Sequence, residues 1–157
     1  MSRGMYLHSG GRICFRPWGI ILLMENCIFC KIVKGEAPSY KTFENENFYA
    51  FLDIYPSVKG HTLVIPKAHY QWVYEVPNFA ECWDVVYKVT KAMEKVLRPQ
   101  WINYYTFGLI PHAHIHILPR NEDKTKMADH KIIPSQIEVS KEELTDISKR
   151  LLEETQK

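Results

Sequence analysis

Three histidines recur at every second position, His112, His114 and His116, with small or branched apolar residues between them. Successive side chains on a strand point to opposite faces, so this spacing puts the three imidazoles on one face and Ala113, Ile115 and Ile117 on the other. Neighbours two apart stand about 6.5–7 Å from each other along a strand, and adjacent imidazoles at that distance can divide the work around one tetrahedral group or one metal. An unperturbed imidazole titrates at about 6.5, so near neutrality it is largely uncharged and nucleophilic without a strong base. The plain alternative is a half-exposed strand that is merely histidine-rich. Three at period two, in a chain with 7 histidines in all, argue for chemistry.

A second signal lies upstream, in Cys27-Ile-Phe-Cys30. Two thiolates at this spacing can face one tetrahedral metal, but a structural zinc takes four ligands, so two more must come from elsewhere in the chain. A redox dithiol or two ordinary buried cysteines are the rival readings, and a redox pair usually accompanies a βαβ pattern that this sequence lacks. Cys14 and Cys82 stand alone. Disulfides are therefore not expected, and the setting read from the sequence is cytoplasmic.

The elements that must position these residues can be read from periodicity. Residues 27–33 predict one or two helical turns before Gly35 and Pro38 break them. Strands are expected at Tyr40–Glu44 and Phe48–Asp53, joined by the polar turn Asn45-Glu46-Asn47, and at His61–Ile65 before Pro66. Asn78, with Glu81 three residues on, predicts a capping box at the start of a helix whose apolar stripe is Phe79, Cys82, Val86, Val89, Met93 and Val96. Pro99 stops that helix. Strands Ile102–Phe107 and His112–Leu118 follow, joined near Gly108, and residues 120–139 read as irregular. Ser140 and Glu143 then open a terminal helix, 140–155, with Leu144, Ile147 and Leu151 as its stripe. Five strands grouped in hairpins with two main helices imply an antiparallel α+β domain.

The chain has 157 residues, 46% of them apolar, which suits one core. Its net charge is only +2, and Arg3, Arg12 and Arg16 carry more than that excess. A neutral body fits a small charged substrate better than a nucleic-acid backbone. The apolar run at 18–24 falls short of the roughly 20 residues needed to span a bilayer, and no cleavage site follows it, so neither membrane nor export is expected. Residues 1–23 read as a disordered extension or a mis-assigned start, with Met24 the working start and 24–157 one domain. A short packing segment is the competing reading.

The run His112-Ala-His114-Ile-His116-Ile117-Leu118 resembles the signature of the histidine-triad superfamily, in which three histidines alternate with apolar residues. Phe51-Leu52-Asp53-Ile54, followed by Gly60-His61-Thr62-Leu63-Val64-Ile65-Pro66-Lys67-Ala68-His69, is similar to that family's upstream block. With the Cys27–Cys30 pair and Pro119-Arg120, the likeness runs from about Glu25 to Arg120. It implies a five-stranded antiparallel sheet with two main helices, two copies pairing into a ten-stranded sheet as a homodimer. It further implies that His114 attacks the α-phosphorus of a nucleotide ester, anhydride or phosphoramidate to form a nucleotidyl-histidine, while His116 and His61 contact the phosphoryl oxygens and leaving group. Asp53 would accept the ribose hydroxyls of a purine nucleotide conjugate, and Phe51, Leu52 and Ile54 would wall its base. In zinc-bearing relatives His69 and His112 complete the set begun by Cys27 and Cys30, a structural zinc with no catalytic metal required.

One stretch departs from the family pattern. Members commonly carry a Gly-Gln-Ser/Thr type of segment before the triad, and this chain reads Phe107-Gly108-Leu109-Ile110-Pro111, while Asn103 sits too close to the triad to replace the family's upstream Asn. That departure motivates a non-catalytic nucleotide-binding protein as an alternative. A metal-dependent, cupin-like enzyme using the His-x-His pair with His61 or His69 is the other, which the predicted helices disfavour.

Overall fold

The computed structural model describes residues 27–121 and 135–157, so the expectations for 1–23 and for most of 120–139 lie outside the described residues. Within them the chain forms α1 (Ile28–Val33), β1 (Tyr40–Glu44), β2 (Phe48–Leu52), β3 (Thr62–Pro66), a 3₁₀ turn (Val73–Glu75), α2 (Phe79–Leu97), β4 (Trp101–Tyr105), β5 (Ile115–Arg120) and α3 (Lys141–Thr155). The strands make one sheet in the order β1-β2-β3-β5-β4, every neighbouring pair antiparallel. This is the α+β, five-stranded architecture expected. The exchange of the last two strands places β5 inside the sheet, between β3 and β4, where side chains from both neighbours reach the histidines.

Period-two alternation sends the two faces of the sheet into two cores. Ala50, Leu52, Val64, Ile115 and Ile117 pack under α2 and α3 with Val86, Val89, Met93, Leu144, Ile147 and Leu151. Tyr49, Phe51, Leu63 and Ile65 face the other way, onto α1 with Cys27, Phe29, Cys30 and Ile32. Full burial of each large apolar side chain contributes roughly 1.5–3 kcal/mol, so the second cluster fastens the six-residue α1, which is too short to hold helical form alone, onto the histidine face.

Several boundaries differ from the sequence reading, each for a local reason. The ladder of the triad strand starts at Ile115 rather than His112, because the Ala113 amide donates to the Tyr70 carbonyl (2.6 Å) instead of to a strand. β3 starts at Thr62, since His61 closes a turn through its amide to the Val58 carbonyl (3.1 Å) behind Gly60, whose φ of +82° suits glycine. The capping box at Asn78 does not form. Asn45, Asn47 and Asn78 all donate side-chain amides to the Glu81 carboxylate, which ties α2 to the β1–β2 turn and takes the group the box would need. Phe79, expected in the stripe, is exposed. At α3 the Ser140 hydroxyl does accept from the Glu143 amide (3.1 Å). Among the described residues no helix is long and apolar enough to cross a membrane.

Candidate active site

A chain of hydrogen bonds assigns a tautomer to each of three histidines. The Ser57 amide donates to His61 Nδ1 (3.2 Å), so that nitrogen carries a lone pair and Nε2 carries the proton. His61 Nε2 then donates to His116 Nδ1 (2.9 Å), which leaves the proton of His116 on Nε2. That Nε2–H is buried and has no partner among the described residues. His114 Nδ1 lies 2.6 Å from the His112 carbonyl, which can only accept, so His114 Nδ1 is protonated and its Nε2 bears a free electron pair. The His114 and His116 rings stand 4.8 Å apart. An electron pair and an orphan donor thus lie side by side, the equipment for attack on an electrophile whose oxygen gains charge. A buried donor without an acceptor costs about 1–3 kcal/mol, which a bound oxygen would recover.

Aromatic contacts hold this arrangement, and two of them escaped the sequence reading. Tyr105 is the cross-strand partner of His116 in the β4–β5 register, and its ring stacks on the imidazole at 4.2 Å and 13°. Phe29, inside the Cys-x-x-Cys segment, meets His112 and His114 edge-on at 5.8 and 5.4 Å, with Phe51 behind it. Burial lowers the histidines from their ordinary range: His61 to about 4, against the pull of Asp53, and His116 to about 3, with help from His61 and His114. His114 is lowered for the same reason, partly offset by its bond to the His112 carbonyl. All three are neutral at pH 7, as the hydrogen-bond chain requires.

This has a measurable consequence for stability. As pH falls below about 6.5, His61 and His116 take up protons in the unfolded chain but not in the folded one until their lowered values of about 4 and 3 are reached. The unfolded state then binds more protons and stability declines, by at most about 1.4 kcal/mol per pH unit for each histidine. Above that window the pair adds no slope. Thermal midpoints measured between about pH 7.5 and about pH 4.5 should fall more steeply for the wild-type chain than for His116→Asn; equal slopes contradict the assignment.

The remaining expected residues divide by face. Asp53 follows β2, its Oδ2 is 3.7 Å from His61 Nδ1, and its Oδ1 accepts from the Tyr55 amide (2.9 Å). Phe51 lies on the histidine face and Ile54 is exposed just beyond it. Leu52 is different: alternation turns its side chain into the core under the helices, away from the histidines, so it cannot wall a base beside Phe51. A cleft of about 230 Å³ opens on His114, while a larger cavity of about 750 Å³, between β1, α2 and α3, has no histidine among its described lining residues.

On the far side of His112 lies a group of four possible metal ligands. Cys27, Cys30, His69 and His112 bring one ligand atom each within 4.8 Å of all the others. Sγ of Cys27 and Cys30 stand 3.4 and 3.5 Å from His112 Nδ1, and Sγ of Cys30 is 3.2 Å from His69 Nδ1. Tetrahedral zinc, with bonds of about 2.3 Å to sulfur and about 2.0–2.1 Å to nitrogen, sets such edges at roughly 3.5 Å, so the cluster fits. His112 Nε2 donates to the Pro66 carbonyl (2.9 Å), which turns the Nδ1 lone pair towards the sulfurs. Burial, followed by the neighbouring Cys27, pushes the Cys30 thiol up to about 12 in the absence of a cation. A second triplet, Asp53, His61 and His116, also lies close together. Its two imidazole nitrogens are 2.9 Å apart and share a proton, nearer than the roughly 3.3 Å of two ligands on one zinc.

Residues 34–123 match the HIT domain family. The chain is 37% identical to an adenosine 5'-monophosphoramidase of Schizosaccharomyces pombe over 76% of its own length and 96% of that protein. It is 32% identical to an adenylylsulfatase of Arabidopsis thaliana, over 76% of this chain and 65% of that one. Among solved structures, a zinc-bound histidine triad family protein from Mycobacterium smegmatis superposes with a TM-score of 0.69 at 27% identity, covering 85% of this chain and 95% of that chain.

Proposed function

The chain belongs to the HIT domain family, and from that premise we propose that it cleaves nucleotide conjugates at the α-phosphorus, as a hydrolase or nucleotidyltransferase acting through a nucleotidyl-histidine on His114. Nucleoside phosphoramidates, adenylyl sulfate and dinucleoside polyphosphates form the substrate class, in keeping with the names of two relatives. The observation that carries this reading is the free Nε2 electron pair of His114 beside the unpartnered Nε2–H of His116.

In the first step His114 Nε2 forms a bond to phosphorus, and the bond from phosphorus to the leaving atom breaks with its electron pair going to that atom. His116 Nε2–H, held by the hydrogen bond from His61, stabilises the charge that grows on the phosphoryl oxygen. Water then attacks the same phosphorus, the N–P bond breaks and His114 returns to its starting form. This chemistry calls on no catalytic metal. Asp53 receives the ribose hydroxyls, and Phe51 and Ile54 flank the base.

A structural zinc on Cys27, Cys30, His69 and His112 would join α1 to the segment that presents His114, and it supplies the positive charge two buried thiolates require. The free, buried state of these cysteines suits a cytoplasmic protein. A second copy would cover the outer edge of β4 and the exposed Trp83, Tyr87 and Tyr104, giving a homodimer with a continuous sheet. Nucleic acid and membrane have no part in this reading.

The reading is tested by a panel of adenosine and guanosine phosphoramidates, adenylyl sulfate and dinucleoside polyphosphates. Turnover of at least one class with release of the nucleoside monophosphate is expected. Saturable binding of AMP or GMP without any turnover would favour the non-catalytic alternative instead.

A further inference from the structure

The cleft on His114 has an unusual lining for a site that handles phosphate. Trp72 and Tyr74 enter it from the turn after β3, and Thr106, Phe107 and Gly108 from the turn between β4 and β5. The Trp72 and Tyr74 rings are parallel within 9°, with centroids 6.3 Å apart. A Cβ placed on Gly108 would stand 2.4 Å from Cζ3 and 2.9 Å from Cη2 of Trp72, so the indole occupies its place only because residue 108 is glycine. Tyr74 (77% exposed), Phe107 (48%) and the adjoining Leu109 (80%) leave apolar surface open to solvent beside a nucleophile. Apolar surface gathered around one functional group marks a place where something apolar binds.

Geometry separates this cleft from the nucleoside. Asp53, Phe51 and Ile54 come from β2 and the segment after it, next to His61, whereas the cleft is built from the two turns that flank Ala113 and His114. At about 230 Å³ it is smaller than the roughly 300–1,000 Å³ of pockets that hold a whole ligand, and it suits one ring with a short linker. A displacement at phosphorus needs separate room for what stays and what departs.

We propose that this cleft is the leaving-group subsite and that it selects nucleotide conjugates whose departing amine carries a flat aromatic ring on a short linker, with Trp72 determining that specificity and Gly108 admitting its indole. The inference rests on the reading of His114 given above. In the step it serves, the bond from His114 Nε2 to phosphorus forms as the P–N bond breaks, the nitrogen keeps the electron pair and takes one proton from solvent, and the water that attacks in the second step returns one proton to solvent. The adenosine phosphoramidate plus water thus yields AMP and the free arylalkyl amine.

The test uses three adenosine phosphoramidates that release ammonia, propylamine or 2-phenylethylamine, assayed on the wild-type chain and on Trp72→Ala, Trp72→Phe and Gly108→Ala. The wild-type chain should favour the phenylethyl over the propyl substrate in kcat/KM by about tenfold, the scale of one aromatic stacking contact. Trp72→Ala and Gly108→Ala should each cut that preference about fivefold or more, chiefly through KM, while Trp72→Phe keeps most of it. An unchanged preference in both the alanine variants overturns the proposal, as does a wild-type chain with no preference. A shift in the adenosine-to-guanosine ratio in Trp72→Ala, with the amine preference intact, would make the cleft a base site and also overturn it. If the wild-type chain turns over none of the three, this inference falls, and the reading of His114 falls with it only if adenylyl sulfate and the dinucleoside polyphosphates are also left intact.

Discussion

Replacing His114 by Asn is expected to abolish turnover, lowering kcat by about 10,000-fold or more, with the thermal midpoint close to that of the wild-type chain. The size follows from what is lost. An asparagine amide nitrogen can take the place of imidazole Nδ1 and still donate to the His112 carbonyl, so the local backbone keeps its partner. It has nothing equivalent to the Nε2 electron pair. The proposed ribose contact of Asp53 and the donor on His116 would survive and account for whatever rate remains. A variant that is folded and still turns over within tenfold of wild type would mean that another group attacks phosphorus.

Removing a zinc held by the proposed Cys27, Cys30, His69 and His112 site should produce the largest change in stability. Purified protein should contain close to one zinc per chain, and treatment with a strong chelator should lower the thermal midpoint by roughly 10 °C or more, because the binding energy of a structural zinc is folding energy. The reason is visible in the packing. α1 is six residues long and is held by one small apolar cluster and by these side chains. Without the cation the Cys30 thiol keeps its proton, since burial drives it to about 12, and two sulfurs lose their common partner. Phe29 would then loosen against His112 and His114, so activity should decline together with stability. Well under one zinc per chain, with a midpoint indifferent to chelator, would remove the metal from the account.

What is legible in the sequence is mostly what short-range periodicity controls. The histidine face, β1 at Tyr40–Glu44, the stripe of α2 from Cys82 to Met93 and the Ser140 cap all follow from residues near one another in the chain. The misplaced features depend on distant partners. His112 and His114 sit before the ladder because Ala113 bonds to Tyr70 across 43 residues, and the Asn78 capping box fails because Asn45 and Asn47 reach Glu81 first. The resemblance places Leu52 beside Phe51 in a base wall, yet neighbours on a strand belong to opposite faces. Tyr105 carried no signal of its own, since its place over His116 follows from the register that the short turn at 106–111 imposes. The direction of the proton chain from His61 to His116 was also beyond reach, as it links residues 55 apart and is set by one backbone amide, that of Ser57. Chemistry was legible as residue types, while the roles of individual nitrogens required the fold.

The central claim, that His114 Nε2 becomes bonded to the α-phosphorus, is tested most directly by acid-free rapid quenching of the enzyme with an adenosine phosphoramidate and mass spectrometry of its peptides. The expected result is an adenylyl group on His114, formed within the first turnover, stable in base and lost in mild acid. Steady release of AMP with no modified peptide at any quench time, or an adenylyl group on His116 or His61 in place of His114, would contradict it.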